Sequence, residues 1–236
     1  MTTVLITGAN KGLGRESARR LTALGWTVWL GARELDRGKS AAAGITDEQP
    51  GADVRVLPLD VTRDESVVAA LETVRAAGTG LDVLVNNAGI AGSRKAPAET
   101  VPGDFLGVFG VNLLGPVRMT HTFLPLLRES RSPRLVMVSS GMGSFGITTD
   151  PERLESTLHG LVYPSSKAAL NMVATMYAKS LPDIQVTVVD PGYTATDLNG
   201  FAGYQTVTEG SDAIVEACTA TTALAPFISR TGPVPW

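Results

Sequence analysis

Val4-Leu5-Ile6-Thr7-Gly8-Ala9-Asn10-Lys11-Gly12-Leu13-Gly14 stands almost at the start of the chain, and its reading decides the fold. A short apolar, β-prone run ends in three glycines. Arg15 to Leu24 then repeats apolar residues at helical spacing, and Gly25 stands where that helix should end. The stretch reads as strand, tight turn, helix. Gly8 can take backbone angles closed to other residues, Gly12 lets the main chain approach a bulky anion, and Gly14 lets helix and strand pack closely. The free N–H groups and positive dipole end of the helix then face that anion. A pyrophosphate cradle is one reading, and an ordinary glycine-rich turn is the other.

Bulk properties narrow the classes around this stretch. A chain of 236 residues is most simply one domain with a substantial core. Hydrophobic content of 44% against 18% charged residues describes a soluble globular protein, and a net charge of −3 gives no electrostatic footprint for nucleic acid. No apolar run is long enough to span a bilayer, and the first strand follows Met1-Thr2-Thr3 directly, so a cytoplasmic location is expected. Cys218 is the only cysteine, which excludes an intrachain disulfide and a thiolate metal cluster. His121 and His159 add little material for metal catalysis, and both read as structural or solvated.

Outward from the glycine turn, strand and helix alternate. Trp26 to Leu30 is a second strand ending in Gly31-Ala32-Arg33. In a dinucleotide fold this strand end meets the adenosine ribose, where an acid favours a free 2′-hydroxyl and a base favours a 2′-phosphate. The acid is missing here; Arg33, with Lys11 from the turn, argues for NADP over NAD unless Arg33 is simply a solvated surface residue. Val54 to Leu59 is a third strand running into Asp60-Val61-Thr62. Asp60 is placed to accept from the adenine amino group with the Val61 amide beside the ring, or else to cap the helix from about Asp64 to Ala77. Leu81 to Val85 is a fourth, central strand ending in Asn86-Asn87-Ala88-Gly89. Asp104 to Glu129 is helical with interruptions near Asn112, Pro116 and Pro125, where Asn112 has a ready use in capping a kink. Val136-Met137-Val138 forms a fifth strand ending in Ser139-Ser140-Gly141. A loop follows to Leu161, and a helix then opens at Tyr163-Pro164-Ser165-Ser166-Lys167 and runs to about Ser180. Ile184 to Val189 is a sixth strand, Thr208 to Thr219 a last helix, and Phe227 to Ser229 an edge strand. The expected fold is a single-domain α/β chain whose parallel sheet is doubly wound, with about seven strands and helices on both faces.

Tyr163 and Lys167 stand one turn apart on one helix face. A phenol with a reference pKa of about 10 must drop by roughly three units, about 4 kcal/mol, to shuttle protons near neutrality. An ammonium at about 4 to 5 Å in an effective dielectric near 20 supplies roughly 3 to 4 kcal/mol, a cationic nicotinamide adds to it, and desolvation opposes it. Hydride transfer between a nicotinamide and a carbonyl carbon needs these parts: Tyr163 donates the proton, Ser140 (chosen over Ser139) steadies the oxygen, Lys167 also holds ribose hydroxyls, and Asn112 positions a water. Taken alone, a Tyr-x-x-x-Lys pair is more often a surface pair; the conjunction in this order is what carries the reading.

These residues together resemble the classical short-chain dehydrogenase/reductase family over nearly the whole chain. Thr7 to Gly14 is similar to its Thr-Gly-x-x-x-Gly-x-Gly loop, Asp60 to its adenine-contacting acid, and Asn86 to Gly89 to its fourth-strand motif. Asn112, Ser140, Tyr163 and Lys167 match its catalytic tetrad, and Pro191-Gly192 through Thr196 matches its nicotinamide segment. The resemblance implies a Rossmann-type fold with cofactor contacts from Gly8, Asn10, Lys11, Gly12, Leu13, Gly14, Arg33, Asp60, Val61, Asn87, Ala88, Gly89, Tyr163, Lys167, Pro191, Gly192, Thr194 and Thr196. Thr194 and Thr196 would lie near the carboxamide and pyrophosphate. The Gly31-Ala32-Arg33 end with Lys11, and Val234-Pro235-Trp236, look like its NADPH-dependent carbonyl-reductase subgroup. The implied activity is reversible reduction of a ketone or aldehyde. The alternatives are an NAD(P)-dependent alcohol dehydrogenase working oxidatively, or a non-catalytic NADP-sensing regulator. Met142, Phe145, Tyr193, Phe201 and Tyr204 are candidates for an apolar substrate pocket or for core. A homo-oligomer is common in such a family, although the long gap between Ser140 and Tyr163 is also found in monomers.

Overall fold

The computed structural model describes residues 1–236. Its sheet has eight strands: β1 (Thr3–Ile6), β2 (Thr27–Ala32), β3 (Val54–Pro58), β4 (Val83–Asn86), β5 (Arg134–Val138), β6 (Gln185–Asp190), β7 (Phe227–Ser229) and β8 (Gly232–Pro233). They lie in the order β3-β2-β1-β4-β5-β6-β7-β8. Every neighbouring pair through β7 is parallel, and β8 returns antiparallel with Ile228 opposite Pro233. That eighth strand exceeds the seven expected from sequence. Two residues carry no periodicity to read, and Gly232, at φ +115°, supplies the backbone turn that sends them back along β7.

Eight α-helices cover the sheet: α1 (Gly12–Thr22), α2 (Leu35–Glu48), α3 (Asp64–Ala76), α4 (Gly103–Phe109), α5 (Gly115–Leu127), α6 (Phe145–Thr148), α7 (Val162–Ser180) and α8 (Val207–Thr219). Because both faces are covered, the central strands are apolar without a break, and alternate residues feed two separate cores. Leu5, Leu57, Leu84 and Leu135 pack with Val67 and Leu71 of α3, Met119 and Phe123 of α5, and Leu170 and Ala174 of α7. Val4, Val28, Val83 and Val136 face the other way, onto Ala18 and Leu21 of α1, Ala41 and Ile45 of α2, and Ile214 and Cys218 of α8. Each fully buried Leu, Val or Phe contributes roughly 1.5 to 3 kcal/mol. The Cys218 thiol is sealed in the second core, and burial pushes its pKa up to about 12.

This order puts β1 between β2 and β4, so the chain leaves β1 in one direction and returns on its other side. A crevice opens at the carboxyl ends of these strands, where such sheets bind ligands. The interruption expected near Asn112 is a π-helical turn, Gly110–Leu114, set between α4 and α5. Pro116 comes directly after that turn in a continuous run of helical backbone, so its missing N–H interrupts the helical ladder where the π turn lies, and Pro125 lies inside α5 without ending it. No helix is long and apolar enough to cross a membrane.

Candidate active site

The glycine turn is fastened to the end of β4. Thr7 Oγ1 accepts from the amides of Asn87 at 3.0 Å and Ala88 at 2.9 Å, while Asn87 Nδ2 donates to Thr7 O at 2.8 Å. Gly8 has φ +64°, and a Cβ there would stand 3.0 Å from the Ala88 backbone. A Cβ on Gly14 would stand 2.6 Å from Asn87 Nδ2 and 2.8 Å from Ala9 Cα, so any larger residue would lift α1 off the sheet. The α1 N-terminus has no side-chain cap and no acidic residue in its first turn, which leaves its amides facing the crevice.

Beside it lies an open cleft of ≈ 430 Å³ lined by Asn10, Lys11, Arg15, Asp36, Arg37 and Ser40. Lys11 is ion-paired with Asp197, and Arg37 with Glu34 at 2.9 Å. Arg33 projects into solvent at the end of β2 with Glu34 3.8 Å away; against the opposing effect of burial, the two bonds from Thr62 hold the Asp60 carboxyl below its ordinary value, and the Arg33 charge adds a smaller contribution. Sequence reading missed Arg37. Its signal was a cation in the first turn of α2, where the helix dipole disfavours positive charge. Asp60 does not cap α3: its Oδ1 accepts from the Thr62 amide and hydroxyl, while Arg63 occupies the cap position without a side-chain bond. Val61 is buried, and a Cβ on Gly115 would meet it at 2.9 Å.

At the other end of the crevice, α7 brings Tyr163 and Lys167 against the end of β5. Lys167 Nζ donates to Val138 O at 2.8 Å and lies 5.7 Å from the centre of the Tyr163 ring. A Cβ on Gly89 would touch both Asn112 Oδ1, at 3.5 Å, and Lys167 Nζ, at 3.7 Å, so the fourth-strand motif lies between these two. Asn112 is fully buried in the π-helical turn. Its Nδ2 donates to Ile90 O and Ser166 Oγ, and its Oδ1 accepts from the Ile90 amide. Both amide hydrogens are therefore engaged, and the side chain braces the β4 loop against α7. Ser139 is buried and bonded to Asn171, whereas Ser140 is only partly buried, and its Oγ accepts from the Met142 amide and interacts with the Tyr163 phenol.

Electrostatics correct the expectation that Lys167 nearly suffices to acidify Tyr163. Burial pushes the phenol up to about 12, the Ser140 bond opposes it, and the Asp190 charge adds to the rise. Burial pulls Lys167 down to about 8, with Asp190 working the other way. Burial in one dry site disfavours the charged form of both, which leaves the phenol neutral and an ammonium with a pKa of about 8 still mostly protonated at pH 7. Asp190, at the end of β6, escaped sequence reading although an acid closing an apolar strand was its signal. Its Oδ1 accepts from Gly192 N at 3.0 Å, the Gly141 amide also bonds to it, and burial raises its pKa.

The segment after Asp190 crosses the crevice. Pro191 O accepts from Thr194 Oγ1, and a Cβ on Gly12 would stand 3.6 Å from Thr196, whose neighbour Asp197 holds Lys11. Thr194, expected near the carboxamide, is buried with its polar groups already paired: its amide donates to Gly192 O and its carbonyl accepts from Asn199 Nδ2. Of the pocket candidates, Phe145, Phe201 and Tyr204 are exposed rather than core, and Tyr204 packs edge-on to Tyr193 at 5.9 Å. The exposed His121 and His159 take no part in these contacts.

Residues 2–205 match the profile of the short chain dehydrogenase family. Over 223 residues the chain is 36% identical to the short-chain dehydrogenase anuI of Penicillium roqueforti, covering 92% of this chain and 88% of that protein. It is 32% identical to (+)-neomenthol dehydrogenase of Arabidopsis thaliana, with 89% of each covered. Among solved structures it is similar to the NADPH-bound carbonyl reductase from chicken fatty liver, at TM-score 0.81 and 26% identity, covering 100% of this chain and 99% of that one.

Proposed function

The chain belongs to the short-chain dehydrogenase family of oxidoreductases, and from that premise we propose that it reduces a ketone or aldehyde to the alcohol, reversibly, with NADPH as cofactor. The observation that carries the reading is the convergence of Tyr163, Ser140 and Lys167 beside Gly89, at one end of a crevice whose other end is an uncapped helix N-terminus and a basic cleft. The residues present fit a dinucleotide: Gly8 and Gly14 have no room for a Cβ, and the α1 amides are free for a pyrophosphate.

A bound nicotinamide supplies the hydride. Tyr163 Oη gives its proton to the carbonyl oxygen as charge grows there, and Ser140 Oγ donates a hydrogen bond to the same oxygen. Lys167, held by Val138 O, keeps a positive charge near both the phenol and the ribose hydroxyls. Asn112 holds the Ile90 loop and α7 in register so that these groups stay together. Arg33, Arg37 and Lys11 supply the cationic side chains for a 2′-phosphate, and β2 itself ends on Ala32 rather than on an acid. The likeness to an NADPH-bound carbonyl reductase supports the same choice. The exposed aromatics Phe145, Phe201 and Tyr204 suit an open, apolar substrate mouth.

The test is the decay of NADPH absorbance with a panel of aldehydes, simple ketones and diketones, run in parallel with NADH. Turnover with NADPH on part of the panel is expected. Tight NADPH binding with no turnover on any carbonyl, in either direction, would favour a cofactor sensor instead.

A further inference from the structure

The cations that line the cleft beside the glycine turn all stand in ion pairs, and one of these pairs is unlike the rest. Arg15 pairs with Glu48 at 2.8 Å and Arg37 with Glu34 at 2.9 Å, both acids belonging to α2 or its cap. Lys11 instead pairs with Asp197, which reaches it from the segment after β6, in the other half of the sheet. That carboxylate is held in place by its own backbone. Asp197 opens a short helical turn, Asp197–Asn199, across which the Thr196 amide donates to Asn199 Oδ1 at 3.2 Å and Phe201 N to Thr196 O at 2.9 Å. Asn199 Nδ2 ties the turn to Thr194 O at 2.9 Å. Thr196 rests on the glycine turn, where a Cβ on Gly12 would stand 3.6 Å from its methyl carbon. The Lys11 bond holds the Asp197 carboxyl below its ordinary value, burial opposes this, and the Arg37 charge adds a smaller contribution.

We propose that Asp197 is the counter-ion that a 2′-phosphate must displace from Lys11, and that this carboxylate therefore limits how strongly the chain prefers NADPH to NADH. The inference rests on the NADPH reading above. An ammonium paired with a carboxylate is already partly neutralised, and a phosphate brought beside it meets the repulsion of that carboxylate as well. A phosphate carries more charge and more acceptor oxygens than a carboxylate, so it can take the ammonium, but its affinity is reduced by the pair it breaks. The two side chains are 54% and 48% exposed, so the reduction is the modest one that a solvent-screened pair gives. A cofactor without the 2′-phosphate leaves the pair intact and is indifferent to Asp197. Asp36 lines the same cleft without an ion pair, so it occupies no cation that a phosphate would need.

Calorimetric titration of the full chain with adenosine 2′,5′-bisphosphate and adenosine 5′-monophosphate, which differ only in the 2′-phosphate, reads the effect directly. Asp197→Asn should tighten the bisphosphate roughly two- to fivefold and leave the monophosphate unchanged, while Asp197→Glu, which keeps the charge, should hold the wild-type ratio. In a Lys11→Met background the same Asn substitution should no longer tighten the bisphosphate, because the cation it frees is gone. Bisphosphate affinity that Asp197→Asn leaves unchanged or weakens, equal tightening of both nucleotides, tightening by Asp197→Glu as well, or tightening that survives in Lys11→Met overturns the role of Asp197 and leaves the NADPH reading standing. A wild type that binds the two nucleotides equally, or neither, overturns that reading and this inference with it. Asp197 is about half exposed, and an unchanged Tm shows that its variants are folded.

Discussion

Tyr163 within its own chain is a worse acid than a free phenol, because burial outweighs the Ser140 bond and Asp190 adds an opposing charge. In the proposed reduction its proton would move only as a carbonyl oxygen turns basic, which suits the residue to donate. Tyr163→Phe should lower turnover roughly 10²- to 10⁴-fold and leave NADPH affinity, read by tryptophan quenching, within about a factor of three. Undiminished turnover would remove the phenol from the mechanism. Lys167 makes a separate prediction through stability. Its pKa falls from 10.5 in the unfolded chain to about 8 in the fold, so between these values the unfolded state binds more protons and stability rises with pH. Below about 8 the buried ammonium is a standing cost. Lys167→Met should therefore be more stable than wild type at pH 7, on the order of 2 kcal/mol once the lost Val138 bond is allowed for, and the difference should close above pH 10. Urea denaturation at pH 7 and pH 10.5 measures it. A gap that stays constant across that range would mean that the ammonium carries no burial cost.

Among the elements, the turn carrying Ser140 depends on one close approach. A Cβ on Gly143 would stand 2.7 Å from the Lys167 carbonyl carbon and 2.9 Å from the Ala168 amide, and Asn171 Nδ2 donates to Gly143 O. These contacts dock the turn on α7, the helix that carries Tyr163. Gly143→Ala should push the two apart, destabilising by about 1 to 3 kcal/mol, and should lower kcat more than it raises KM because it displaces the reacting groups rather than a binding surface. An unchanged kcat would show that the turn is placed by something other than α7. The same docking explains what sequence could disclose. Tyr163 and Lys167 are four residues apart on one helix, so spacing alone puts them on one face. That Lys167 Nζ finds the Val138 carbonyl, or that Asn112 is fully engaged by Ile90 and Ser166, depends on which elements meet. The π-helical turn shows the limit plainly: Asn112 marked a break, but no local pattern distinguishes an added residue per turn from a capped kink.

For the whole molecule, the parallel sheet was legible because covering both faces forces uninterrupted apolar strands, and the glycine turn announced where the crevice lies. The contacts that build its walls across long separations were not. Asp190 meets the Gly141 amide, Gln205 lies over Gly192, and Arg37 joins Lys11 only after α1 and α2 pack side by side. A dinucleotide in this crevice would touch α1, the end of β4, α7 and the segment after β6 at once, and so would couple both halves of the sheet. Any ligand bound only by the folded state stabilises it by about 2.7 kcal/mol at a hundredfold excess over Kd. For a chain of this size that corresponds to a rise in Tm of roughly 5 to 10 °C. NADPH should therefore raise Tm more than NADH at equal concentration, because Arg33, Arg37 and Lys11 meet a 2′-phosphate that NADH lacks. Arg33→Ala combined with Arg37→Ala should bring the two shifts together while leaving the Tm without cofactor almost unchanged, since both side chains are exposed and their ion pairs with Glu34 contribute little. Equal shifts by NADPH and NADH in the wild type would overturn the NADP assignment and leave the crevice and its chemistry intact.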